Sequence, residues 1–198
     1  MALAAQHPDW VLGFGDETWW TRVSQPALHS WSEQPLRLLN QSVAKDDPDP
    51  KALACYGLLL RFADGQPEDL WLRFVDGRPV SAITTQFLAD CGDRLAARGK
   101  TVWCLVWDNA SWHISKAVRG WIREHNRQVK QEGRGVRLLV CQLPVKAPWL
   151  NPIEPKWVHG KRAIVEPARL LSAREVEERV CAYFGCHPQE HLIAQPAA

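Results

Sequence analysis

The sequence predicts an α/β domain: a mixed five-stranded sheet flanked by helices. Three observations point to it. The early apolar runs are joined by turn-forming residues, as in antiparallel pairs. The later runs alternate with stretches of helical periodicity, as in parallel crossovers. One late run, TVWCLVW at 101–107, is almost wholly apolar, which suits a central strand covered on both faces.

Each element has its own signal. Trp10 to Gly15 is a short apolar run ending at Asp16 and reads as a buried strand. Residues 21 to 50 contain Pro26, Pro35, Pro48 and Pro50 and read as loop with room for a short strand. Ala52 to Phe62 is the second strand. Asp64-Gly65 follows, then Asp69 to Val75, so these two runs form an antiparallel hairpin. Ser81 to Arg98 carries Ile83, Phe87, Leu88, Cys91 and Leu95 at helical spacing, and Gly99 ends it. After the strand at 101–107, a helix runs from Trp112 to about Lys130. Val136 to Leu143 is a buried strand. A proline-punctuated loop leads to a helix from Ile153 to Ala163. Ser172 and Glu175 make a capping box for a last helix ending near Phe184. From His187 the chain is expected to fray.

The bulk properties narrow the class. Hydrophobic residues are 46% and charged residues 23% of 198, ordinary for a water-soluble globular domain. A net charge of +2 gives no global signature of nucleic acid, so any such surface must come from local clustering. MALAAQHPDW lacks the basic start and apolar run of a signal peptide, and no stretch reaches a membrane span. The six cysteines form no C-x-x-C pair and read as reduced, buried thiols, so a cytoplasmic location is expected. Cys181, Cys186 and His187 are too few ligands for a structural zinc site.

The chemistry lies in acids. Asp16 follows VLGFG and Asp108 follows VWCLVW. If those strands are parallel neighbours, both carboxylates emerge at the carboxyl edge of the sheet, where open α/β sheets carry their sites. Glu154 lies near a helix start in LNPIEPKW. Three carboxylates at one edge call for cations, and hard oxygen ligands favour Mg²⁺ or Mn²⁺. A lone acid after a strand is more often a turn former or helix cap.

The surrounding residues go further. GDETWW, WDNASWH and LPVKAPWLNPIEPKW resemble the three signature blocks of DDE-superfamily transposases, and within them the bacterial insertion-sequence branch of the mariner-like superfamily. The match rests on Asp108, Asn109 and His113 and on Pro148, Leu150, Asn151, Pro152, Ile153, Glu154 and Trp157, and extends over about residues 10 to 163. The resemblance implies a ribonuclease H-like fold for residues 10–165, with residues 1–9 as a tail and 166–198 as a C-terminal helix and tail. It implies Asp16, Asp108 and Glu154 as a catalytic triad holding two Mg²⁺ or Mn²⁺ ions, for cleavage and strand transfer in DNA transposition. Asn109, His113 and Asn151 become supporting residues. Asn109 also reads as a helix cap, His113 as a packing residue, and Glu17 either as a support of the metal or as a solvated turn residue.

The sequence departs from the family pattern in three ways: Trp149 stands where an acidic or polar residue is usual, the interval from Asp108 to Glu154 is long, with residues 126–135 placed to absorb the excess, and the family's helix-turn-helix is not read. Double-stranded DNA, as transposon ends and target, is the implied partner, and a homodimer is compatible with the resemblance. A transposase of this kind also uses a helix-turn-helix. None is read here, so the recognition domain is expected to be separate or missing. The sequence then reads as half of a split gene, a truncation or a reused domain.

Lys116, Arg119, Arg123, Arg127 and Lys130 recur every three or four residues on one helical face, with Glu124 off to the side. That pattern fits phosphate contact as well as a merely solvated face. Lys156, Lys161 and Arg162 extend it or are solvated in the same way. The alternative to an enzyme is a catalytically silent remnant that binds DNA or another protein. A different ribonuclease H-like nuclease is disfavoured by the LNPIE block.

Overall fold

The computed structural model describes residues 6–23, 33, 41–63, 65–164, 166 and 168–194. Six strands and four α-helices are formed among them: β1 (Trp10–Thr21), β2 (Ala52–Phe62), β3 (Asp69–Asp76), α1 (Ser81–Ala97), β4 (Val102–Trp107), α2 (Lys116–Glu132), β5 (Arg137–Gln142), α3 (Glu154–Ala163), α4 (Ala173–Phe184) and β6 (Leu192–Ile193). The sheet order is β5-β4-β1-β2-β3-β6. β1 is antiparallel to β2 and parallel to β4, β2 is antiparallel to β3, and β5 is parallel to β4. The expected adjacency of the strands bearing Asp16 and Asp108 is therefore found, as is the β2–β3 hairpin. Most of residues 24–40, where a short strand was conceivable, and Asp64 of the hairpin link lie outside the described residues.

The sheet separates two apolar layers, and strand alternation assigns side chains to each. On one face Val11, Tyr56, Leu58, Trp103, Leu105 and Trp107 pack beneath α1 and α2. On the other, Phe14, Trp20, Leu53, Leu59 and Phe74 pack beneath α3 and α4, which contribute Trp157, Val176 and Val180. β2 is buried along most of its length because both layers cover it. Several of the tryptophans are therefore structural, as their number suggests.

Four expectations need correction. β1 does not end at Asp16; it continues to Thr21, because pairing to β2 persists as far as Thr21↔Ala52 after pairing to β4 stops at Phe14↔Val106. β5 is not a buried strand. It lies at the sheet edge, where Leu139, Val140 and Cys141 are exposed, so Cys141 is not a buried thiol. The segment after His187 does not fray throughout: Leu192 and Ile193 pair with Val75 and Asp76 as a sixth strand. The helix expected from Trp112 begins at Lys116, because Ser115 caps it by accepting from the Val118 amide. That helix runs on to Glu132 and ends at left-handed Gly133, so it absorbs much of the long interval between Asp108 and Glu154. Ser172 and Glu175 form the expected reciprocal capping box.

Candidate active site

The three acids come from three elements and line one cleft of about 320 Å³. Asp16 lies within β1, Asp108 directly after β4, and Glu154 at the first residue of α3. Asp16, Phe14 and Trp20 alternate onto the α3 side of the sheet. The parallel register sets Phe14 beside Val106, so two further residues along each strand bring Asp16 level with Asp108. The loop from Leu143 to Asn151 forms the opposite wall.

The approach of α3 depends on a glycine. Gly57 is the β2 partner of Asp16. A Cβ at Gly57 would collide with the Trp157 ring and stand 3.0 Å from Ile153 Cδ1. Without one, Trp157 lies against the sheet and its Nε1 donates to Asp16 Oδ2 at 2.8 Å. Asn151, buried, donates from Nδ2 to the Gly15 carbonyl at 3.0 Å, pinning the turn before α3 to β1. The LNPIEPKW block thus carries Glu154 to Asp16 through Asn151 and Trp157. Asn109 does not cap a helix; its Nδ2 donates to the Leu143 carbonyl at 2.6 Å and ties the end of β4 to the end of β5.

Asp108 is held from beneath. Its Oδ1 accepts from the Ala110 amide at 2.9 Å and pairs with His113 Nδ1 at 2.8 Å. His113 is buried and stacks on Trp107, with ring centroids 4.2 Å apart. Its Nε2 meets Glu17 Oε1 at 2.7 Å. Glu17 Oε2 also accepts from Trp112 Nε1 at 3.2 Å. Glu17 is therefore no solvated turn residue; it lies inside β1 with its side chain buried. His113 is not merely a packing residue, since both ring nitrogens meet carboxylates. The weak signal available in sequence was the pair Asp16-Glu17 itself, since consecutive strand residues face opposite sides of a sheet.

The electrostatics follow. Burial, then the Glu154 charge, push the Asp16 carboxyl up to about 7, against the lowering effect of the Trp157 hydrogen bond. Burial raises Glu154 as well, opposed by Lys161 and reinforced by Asp108. Asp108 is lowered, chiefly by its hydrogen bond to His113. Burial works against charge on His113, but the hydrogen bonds to Asp108 and Glu17 and their charges carry its pKa up to about 9. Lys161 was expected only on an outer surface. It stands near Glu154 and Asp16, is lowered by burial despite their charge, and lies 5.9 Å over the Trp20 ring.

Among the described residues, no three His, Cys, Asp or Glu side chains are gathered tightly enough to hold a metal ion as they stand. The three carboxylates share a cleft without closing on one point, where a tighter convergence was expected. In kind, the donors suit a hard divalent cation: all are carboxylate oxygens, and all three line one cleft.

Lys116, Arg119, Arg123, Arg127 and Lys130 are all exposed on α2. Arg127 pairs with Glu124 at 2.6 Å, so that acid does not project away from the stripe. Arg119 and Arg123 flank a second depression with Trp107, His113 and Gln142, next in the chain to Leu143 of the carboxylate cleft. No helix among the described residues is long and apolar enough to cross a membrane.

A mixed sheet with its acids at the end of the β1–β4 pair defines an α/β domain of the ribonuclease H-like kind. The chain belongs to the DDE superfamily of endonucleases, whose family model matches residues 68–177. That match includes Asp108 and Glu154, with Asp16 upstream of it. Among solved structures, the Mos1 transposase paired-end complex with left transposon end matches at TM-score 0.59 and 16% identity, over 89% of this chain and 48% of that one. The Mos1 mariner paired-end complex with Mn matches at 0.58 and 17%, over 88% and 48%. The catalytic domain of Mos1 mariner transposase matches at 0.53 and 15%, over 89% and 71%. At these identities the likeness shows the fold, and the chain spans about half the length of the first two. No curated protein sequence matches.

Proposed function

We propose that this chain is the catalytic domain of a DNA transposase, with Asp16, Asp108 and Glu154 as its divalent-metal ligands. The observation that carries the reading is the single cleft shared by these acids, reached from β1, β4 and α3. Membership of the endonuclease superfamily supports a phosphodiester substrate. So do the related Mos1 structures, among them complexes with a transposon end, a strand transfer complex and complexes with Mn or Mg.

Asp16, Asp108 and Glu154 would hold Mg²⁺ or Mn²⁺, two ions in this reading, whose Lewis acidity would serve the attacking and leaving oxygens. Asp16 and Asp108 each keep one oxygen committed to the protein, Oδ2 to Trp157 and Oδ1 to His113, and both residues line the cleft. Glu154 offers its carboxylate from the start of α3. Lys161 offsets part of their charge. In the first reaction water adds to phosphorus and a 3′-hydroxyl leaves. In the second that 3′-oxygen adds to a target phosphorus and the target's own 3′-oxygen leaves. Asn109, His113 and Asn151 hold the cleft walls during both.

The exposed cations of α2 grip the DNA backbone in this reading. Lys116→Ala or Arg123→Ala is expected to weaken duplex binding equally on unrelated sequences. Each should lower the slope of log affinity against log salt by about one, the value for a single phosphate left without its cation. Fluorescence anisotropy at several salt concentrations checks this, and unchanged slopes would remove α2 from the interface.

The test of function is nicking of inverted-repeat DNA in Mn²⁺, with a helix-turn-helix recognition domain supplied in trans or by fusion to position the ends. Wild type should nick and should stop on addition of EDTA. Asp108→Asn should be slower by about a thousandfold, equivalent to about 4 kcal/mol of transition-state stabilisation. Wild type as silent as Asp108→Asn, although folded and bound to DNA, would mean a non-catalytic remnant.

A further inference from the structure

We infer that Glu17 is a positioning residue, acting through His113 to orient the metal-facing carboxylate of Asp108. The inference rests on the reading of Asp108 as a metal ligand and adds a residue to that site.

Asp16 and Glu17 are neighbours in an unbroken strand, so their side chains leave opposite faces. Asp16 enters the cleft directly. Glu17 enters the layer beneath α2 and meets His113 Nε2 at 2.7 Å. His113 is 1% exposed in its side chain and is clamped flat on Trp107, so its ring has no freedom to turn away. Its other nitrogen is 2.8 Å from Asp108 Oδ1. The ring is thus held at both nitrogens, by Glu17 on one side and Asp108 on the other, and the position of Glu17 fixes the position of the ring against Asp108. Trp112 Nε1 holds the second oxygen of Glu17, at 3.2 Å, and completes the fixing of the chain of three.

The geometry also divides the two oxygens of Asp108. Oδ1 is occupied by His113 and the Ala110 amide. Oδ2 has no protein donor among the described residues, in a side chain that is half exposed. Weakening the Glu17 contact takes from the ring one of its two anchors and from Asp108 Oδ1 a fixed partner. Asp108 then becomes a poorer cation ligand, although Glu17 never touches the cation. Supports of this kind typically tune metal affinity ten- to a hundredfold.

The test uses the whole chain and Mn²⁺ alone, by calorimetry, with folding followed by circular dichroism. Glu17→Gln keeps shape and an acceptor oxygen, and should bind Mn²⁺ about tenfold more weakly than wild type. In an Asp108→Asn background the same change should have little further effect, whereas a generally loosened fold would weaken binding in both backgrounds. If Glu17→Gln does not fold, His113→Gln, which can donate to Asp108 but not to both partners, takes its place with the same expectation. Affinity within twofold of wild type in the folded variant overturns the inference while leaving the metal site standing. Wild-type binding that is absent, or indifferent to Asp108→Asn, overturns the site reading and the inference with it.

Discussion

Asp16→Asn is expected to stabilise the metal-free protein while abolishing its nicking activity. The carboxyl titrates near 7 in the folded chain, raised from 3.8 by burial and then by Glu154. A folded-state pKa above the unfolded one means that the folded form holds a proton which the unfolded form releases. Stability is therefore lost as pH rises from about 4 to about 7, and the whole cost remains above that. For a side chain with some solvent contact it amounts to roughly 2 to 4 kcal/mol. Asparagine removes the cost and retains an acceptor for Trp157 Nε1. Denaturant unfolding in EDTA should thus give nearly equal stabilities at pH 4 and a widening advantage for the variant up to pH 8. Divalent metal should narrow the gap by stabilising wild type alone. A variant less stable than wild type at pH 8 would show that Asp16 is not strained by its charge.

Gly57→Ala should act at the same point by sterics. The new methyl meets the Trp157 ring and Ile153, both part of the packing that seats α3. Overpacking of this kind costs about 1 to 3 kcal/mol. The side chain in the way is a buried indole, so relief requires α3 to move from β2, carrying Glu154 with it. Gly57→Ala should therefore lower both thermal stability and Mn²⁺ affinity, although Gly57 bears no chemistry. Adding Trp157→Leu, which clears the space, should give a double variant less unstable than the sum of the two single changes. Simple additivity would indicate that the strand yields instead.

The sheet order around the site was legible because it rests on strongly periodic signals: apolar runs, turn residues and a capping box. That the three acids gather at one cleft was legible because LNPIEPKW and WDNASWH are long, specific patterns. The parts that were not legible depend on tertiary partners. Glu17 looks like any turn acid until His113 is brought under it. Lys161 looks like a surface cation until α3 is docked with Glu154 seven residues earlier on the same helical face. The continuation of β1 past Asp16 escaped notice because GDETWW carries polar residues, tolerated there because β2 still supplies a ladder after β4 has left it. β5 looked buried from its composition, yet no strand covers its outer edge among the described residues. The final strand was missed because two residues carry no period.

The uninterrupted course of β1 gives the cleft its fixed wall. Asp16 is set in a strand bonded to β2 on both sides of it, so its backbone cannot advance without breaking the centre of the sheet. Asp108 hangs from the end of the neighbouring strand and is braced from below. Glu154 instead arrives on a short helix, after a loop in which Lys146 adopts a left-handed φ of 60° and Val145 and Trp149 are largely exposed. Asn151 and Trp157 nonetheless tie that helix to β1 from two positions, so the strand is the common frame against which Glu154 and Asp16 are set.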